Sequence, residues 1–213
     1  MHSRLPLALL ALTLYASPAT AEEAAASSTR TLAAARTERA RALAVRGDTA
    51  QALGAYAEAL KLDETYGPAW LGFGELRELF GDSKEAELAY TRALDFPDTR
   101  ARAFEARSRL FDRTGRADEA LRDLAAACEL EATPARLREL GRRFAARRAW
   151  PAALATARRL LTLLDPGSSE ARSVAIEVQA LSRLSAETDP VRLGSSGRGW
   201  IRRALARAGS RKR

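Results

Sequence analysis

Few residues in this chain are equipped for covalent or acid–base chemistry. It carries one histidine, His2, and one cysteine, Cys128, in 213 residues. Histidine is the commonest acid–base group and the commonest metal ligand, and His2 lies in a segment expected to be removed. No Ser or Cys nucleophile with an activating base is recognisable. There is no Gly-rich, Lys-Ser/Thr phosphate loop, and Gly72-Phe73-Gly74 lacks the third glycine of a dinucleotide fingerprint. Asp48, Asp82, Asp118 and Glu119 each stand where a helix is expected to begin, and the positive end of the helix dipole accounts for an acid there. Cys128 cannot close an internal disulfide. It stands in register with Leu60 and Leu94, so a buried, packing side chain is expected. No catalytic residue, metal ligand or cofactor is assigned, and the chain reads as a protein that is not an enzyme.

The elements that would position a binding surface instead repeat. Gly47-Asp48, Ala52, Tyr56 and Ala59-Leu60 return 34 residues later as Gly81-Asp82, Ala86, Tyr90 and Ala93-Leu94, and Ala120 continues the series 34 residues beyond Ala86. A fixed period of that size marks a helical repeat array. Within a period, apolar residues recur every three or four positions in two runs. Pro68 to Phe80 predicts a first helix with Trp70, Phe73, Leu76 and Phe80 on one side. Gly81-Asp82-Ser83 predicts a break, with Ser83 capping a second helix that turns Ala86, Ala89, Tyr90, Ala93 and Leu94 inward and that Pro97 ends. Alanines allow two helix axes to approach closely, and the glycine after the first helix allows the reversal. No stretch alternates as a strand would.

This arrangement resembles the tetratricopeptide repeat (TPR) family. Trp70-x-x-Phe73-Gly74 is similar to that family's Trp-x-x-Leu-Gly start, and Phe104…Ser108-x-x-Phe111 and Leu140-Gly141-x-x-Phe144 look like the same segment in later copies. Ala52-x-x-x-Tyr56 and Ala86-x-x-x-Tyr90 match its second helix. The fourth copy departs, with Ala153-x-x-x-Ala157 and with Arg148 where the turn glycine is expected; in the first copy Arg36 replaces the opening aromatic. The resemblance implies an all-α fold of helical hairpins stacked into a TPR-like right-handed superhelix, a solenoid. About four copies are expected over 22–166, a C-terminal capping helix over 167–189 (Val174, Ile176, Val178, Leu181 and Leu184 apolar), and a basic tail over 190–213.

In such a superhelix the first helix of each pair lines the concave side. By that analogy the groove candidates are Thr37 and Arg41; Leu71, Glu75 and Glu78; Arg102, Glu105, Arg109 and Arg113; and Arg138 and Arg142. Charge is uneven: residues 47–98 hold 4 basic and 11 acidic residues, and residues 134–166 hold 8 basic and 2 acidic. Arg109, Arg113, Arg138 and Arg142 are therefore expected to receive an acidic segment or C-terminal carboxylate of a partner. The alternative is that each is solvated or paired with acids on its own helix. The Asn-containing carboxylate clamp of one family subset cannot be carried over, since the chain has no Asn.

The ends read differently. A short basic start at His2-Ser3-Arg4, an apolar run from Leu5 to Tyr15 and Ala19-Thr20-Ala21 predict a cleavable signal peptide over 1–21, hence a periplasmic or secreted protein with no membrane-spanning helix in its mature chain. From Val191 onward there are 8 basic residues and no acid. Trp200, Ile201, Ala204 and Leu205 share a helical face, and Trp200, Arg202, Arg203 and Arg207 are candidates for binding an anionic membrane surface. Docking on an acidic protein and plain disorder are the alternatives for this tail. Nucleic acid and small-molecule substrates are not expected. The reading as a whole is a noncatalytic scaffold of the bacterial cell envelope that binds another protein or peptide. The runner-up is a peripheral membrane protein whose tail is the working part, and a third is a noncatalytic subunit of an envelope enzyme complex.

Overall fold

The computed structural model describes residues 18–188, and all its regular elements there are α-helices. They are α1 (Pro18–Arg46), α2 (Thr49–Leu62), α3 (Gly67–Leu79), α4 (Ser83–Ala93), α5 (Pro97–Arg113), α6 (Ala117–Leu130), α7 (Pro134–Ala146), α8 (Trp150–Leu163) and α9 (Ser169–Thr188). Most of the signal-peptide segment and the tail with Trp200, Arg202, Arg203 and Arg207 lie outside the described residues. No helix among the described residues is long and apolar enough to cross a membrane. The chain divides into two compact units, one through Thr99 and one from Arg100.

In the first unit, α2 packs on α1, and α3 packs on α1, α2 and α4. The contact surfaces are built of alanine: Ala33, Ala40, Ala52, Ala59, Ala69, Ala86 and Ala93 are fully buried. Two glycines of α3 let tyrosine rings lie against its backbone. A Cβ at Gly72 would stand 2.5 Å from the Tyr56 hydroxyl, and one at Gly74 would stand 2.7 Å from the Tyr90 ring. The alanine–tyrosine alternation of the sequence is thus a close helix approach with the ring filling the adjoining space. Burial pushes the Tyr56 hydroxyl above its ordinary range, although nearby Arg41 opposes the shift.

In the second unit α7 packs on α6 and α8, and α9 packs on α8. Leu124, Cys128, Leu137, Leu140, Leu160 and Val174 form one core; Ala153, Leu154, Ala157 and Leu181 form another, flanked by Phe144 and Trp150. Cys128 is fully buried, and that burial raises its thiol pKa, with Arg136 and Arg159 opposing.

Four of the inter-helix reversals, α1–α2, α3–α4, α5–α6 and α7–α8, share one geometry. Gly47, Gly81 and Gly115 have φ of 85°, 81° and 79°, and Arg148 has φ of 56°. In each case the next residue's amide bonds back to the preceding helix: Asp48 to Leu43, Asp82 to Arg77, Arg116 to Phe111 and Ala149 to Phe144, at 2.8–3.0 Å. This is the left-handed helix end that glycine normally occupies.

Several local expectations need correction. Ser83 does not cap α4. It is the helix's first residue, Asp82 holds the cap position, and no side-chain cap bond forms because the Asp82 carboxylate pairs with Arg77 at 3.0 Å. Helix α4 ends at Ala93, before Pro97, which instead opens α5, where its missing amide hydrogen costs nothing. Phe80 sits past the end of α3 and is 51% exposed. Two groove candidates are not on a surface: Leu71 is 1% exposed, and Thr37 is fully buried with its hydroxyl donating to the Ala33 carbonyl. Both helices that carry them are covered by more than one neighbour, so their buried faces are wider than a two-helix contact would make them. On α9, Ile176 points outward at 68% exposure while Ala171, Val174 and Leu181 are buried.

Candidate functional site

The second unit holds the densest array of charged side chains on the first helices of hairpins, α5 and α7. Both helices offer exposed arginines one turn apart, Arg109 and Arg113 on α5 and Arg138 and Arg142 on α7. A cleft of about 280 Å³ is lined by Glu105, Ser108 and Arg109 of α5 and by Arg136, Glu139 and Arg143 of α7, with Leu124 and Ala135 completing it.

Two of these arginines tie α7 to α5. Arg136 is only 8% exposed. Its Nε donates to Glu105 at 2.7 Å, and its other donors reach the Glu131 carboxylate at 2.9 Å and the Glu131 carbonyl at 3.0 Å. Burial works against its charge, but the hydrogen bonds it donates to Glu131 and Glu105 outweigh it, so the guanidinium is held more basic than usual. Arg143 reaches Asp112 of α5 and, at 2.9 Å, Glu139 on its own helix. Behind the cleft, Arg107 pairs in a fork with the buried carboxylate of Asp123, at 2.7 and 3.0 Å, and lies against the rings of Phe104 and Phe111. Ser108 donates to the Ala120 carbonyl at 2.7 Å. These buried bonds fix the cleft floor.

The expected binding residues are placed as follows. Arg109 pairs with Glu105 at 3.0 Å, four residues away, and is 56% exposed in its side chain. Arg142 pairs with Glu139 at 2.6 Å and is 76% exposed. Arg138 is engaged with Glu170 in the first turn of α9, so it does not share the α5–α7 cleft. Arg113 is exposed in the last turn of α5. In the first unit Glu75 is exposed on α3, and half-buried Glu78 accepts the hydroxyl of Tyr90. Sequence reasoning missed Arg136, Glu139 and Arg143. A signal for two of them exists: Glu105 and Arg136, and Asp112 and Arg143, are both separated by 31 residues. That is one period less one helical turn, the offset at which first helices of successive hairpins meet.

Helical hairpins of 34 residues, closed by left-handed turns and packed through alanine, define the class: this is an all-α helical-repeat chain with the tetratricopeptide-repeat fold. Solved structures agree. MamA covers 61% of this chain and 77% of its own, at a TM-score of 0.52 and 15% identity. YrrB, described as a TPR protein with an unusual peptide-binding site, covers 76% and 90%, at 0.51 and 21%. A tetratricopeptide repeat protein from Parabacteroides merdae covers 80% and 69%, at 0.56 and 17%. No family model matches the sequence, and no curated protein matches it.

Proposed function

We propose that this chain is a noncatalytic interaction scaffold that holds a segment of another protein on the first-helix face of its repeats. The observation that carries this reading is the α5–α7 cleft, whose lining is locked by Arg136 and Arg143 and includes exposed Arg109, with Arg113 and Arg142 exposed elsewhere on the same two helices. A locked lining makes a preformed surface, which keeps the ordering cost of binding low. Exposed pairs such as Arg109–Glu105 and Arg142–Glu139 are each worth roughly 0.2–1 kcal/mol. An incoming carboxylate can therefore displace the glutamates and take a forked, charge-assisted bond in their place. YrrB's peptide-binding site is a precedent in the same fold. Arg138 would extend the surface toward α9, and Glu75 and Glu78 would offer an acidic counterpart in the first unit. The signal-like residues 1–21 put the protein in the periplasm or outside the cell, and the helix 167–189 would close the array. Catalysis, metal and cofactor play no part in this reading.

The test is capture from bacterial envelope extract by the chain lacking residues 1–21, with and without residues 190–213, and by a form with Arg109, Arg113, Arg138 and Arg142 all replaced by Gln. A specific protein held by both lengths and lost by the Gln form supports the groove. Equal retention by the Gln form sinks it. A second reading rests on the +8 tail with Trp200, Arg202, Arg203 and Arg207: peripheral attachment to an anionic membrane. Retention that depends on the tail and is released by salt would favour that reading.

A further inference from the structure

A second cleft in the second unit lies away from the α5–α7 face. It measures about 430 Å³ and is lined by Arg158 of α8 and by Val178, Gln179, Ser182, Arg183 and Ala186 of α9. Gln179, Ser182, Arg183 and Ala186 are spaced at i, i+3, i+4 and i+7, so they form one ridge of α9 facing Arg158. Its polar lining is two guanidiniums, a hydroxyl and an amide, with no carboxylate.

Two arginines without side-chain partners share this lining. Among the described residues neither Arg158 nor Arg183 has a hydrogen bond, ion pair or ring contact. Some nearby arginines are engaged: Arg159 pairs with Glu129 at 2.7 Å, Arg138 pairs with Glu170, and Arg172 donates to the Gly167 carbonyl at 2.9 Å, while Arg148, also without a side-chain bond among the described residues, lies outside this lining. The carboxylates of α9, Glu170, Glu177 and Glu187, stand outside the lining. Two uncompensated positive charges thus line one concavity together with the apolar Val178 and Ala186.

We propose that the α8–α9 cleft binds a phosphate monoester. The charge balance selects this ligand over a carboxylate. A monoester carries about −1.5 to −2 at neutral pH and three acceptor oxygens, matching two guanidinium forks with the Ser182 hydroxyl and the Gln179 amide left to donate to the third oxygen. A carboxylate would neutralise only one of the two arginines. The site is separate from the peptide face argued above, and either can fail without the other. The monoester can come from a soluble molecule or from a lipid headgroup such as that of phosphatidic acid, since both present the same group.

The test uses the full isotope-labelled chain, titrated with inorganic phosphate and then glycerol phosphate at constant ionic strength, with amide and arginine Nε signals followed by NMR. Saturable shifts are expected at Gln179, Ser182, Arg158 and Arg183. Arg158→Gln with Arg183→Gln should weaken binding by about tenfold or more, the loss expected when charged hydrogen bonds are removed. Arg122→Gln with Arg148→Gln removes the same charge from the same unit and should leave the affinity unchanged. Displacement of glycerol phosphate from the cleft by phosphatidic acid vesicles, and not by phosphatidylcholine vesicles, would identify the lipid as the source; no displacement would identify a soluble monoester. Shifts that never saturate, or equal weakening by the two double variants, would overturn the proposal. Both arginines are exposed and unbonded, so a folded variant is expected, and unchanged circular dichroism confirms it.

Discussion

Replacing Arg148 by glycine should make the protein more stable, although it deletes a side chain and adds backbone freedom. Arg148 is the one residue other than glycine among the described residues with positive φ, at 56°. Its amide bonds to Ala145 at 2.9 Å and the next amide bonds to Phe144 at 2.9 Å, so the helix end imposes the left-handed conformation whatever residue is present. Its side chain makes no bond among the described residues that would offset the strain. An L-residue in this conformation costs about 1–2 kcal/mol. Glycine gives back roughly 0.4–1 kcal/mol through its freer unfolded chain. The net gain is about 0.5–1 kcal/mol, which in a protein of this size raises Tm by roughly 1–4 °C. Thermal melting followed by far-UV circular dichroism reads this directly. Arg148→Ala is the control, since it removes the same side chain and keeps the strain, and it should move Tm by no more than about 1 °C. If alanine stabilised as much as glycine, crowding of arginine charges around Arg147 and Arg148 would be the cause and the backbone argument would be wrong.

Other substitutions probe the packing and the cleft. Gly74→Ala should destabilise by about 1–3 kcal/mol, because its Cβ would meet the fully buried Tyr90 ring at 2.7 Å, whereas Gly54→Ala in α2 meets nothing within 4 Å and should stabilise by roughly 0.5–1 kcal/mol; chemical denaturation separates the two signs. Arg136→Met should cost about 1–3 kcal/mol, less than a fully buried pair because Glu105 and Glu131 keep contact with water, and it should also weaken partner capture by loosening α7 on α5. Cys128 ionises less readily folded than unfolded, so the unfolded chain binds fewer protons once pH passes the ordinary thiol range. Stability should therefore fall as pH climbs through that range, and Cys128→Ala should flatten this part of the denaturation-versus-pH curve.

Period and turn were legible because each rests on one residue doing one local thing. Gly47, Gly81 and Gly115 are there for φ, and nearly the same spacing, one residue short, locates Arg148 as the fourth turn although its type argues against it. Ala52, Ala86 and Ala120 were legible because close approach leaves no room for anything larger. The local errors share a cause of another kind. Reading Ser83 as a cap and Pro97 as a helix end puts each on the wrong side of a helix boundary, where one residue decides which bonds form. A groove on the first helices that gives each helix a single buried side puts Leu71 and Thr37 on a surface, whereas both are buried.

The charged cleft was half legible for a reason that helical repeats make general. Exposed arginines such as Arg109 and Arg142 announce themselves by pairing within their own helix, three or four residues away. Other arginines, Arg136 and Arg143 of the cleft among them, pair across hairpins: Arg136 with Glu105, Arg143 with Asp112, Arg147 with Asp118 and Arg159 with Glu129, at separations of 31, 31, 29 and 30 residues. A search confined to a single helix cannot see these, and a search at the full period of 34 also misses them, because side chains lean toward the helix N-terminus and meet about one turn out of register. An acid followed about 30 residues later by arginine is thus the pattern by which one hairpin grips the next. Arg158 and Arg183 complete neither kind of pair among the described residues, and it is their charge that the phosphate proposal draws on.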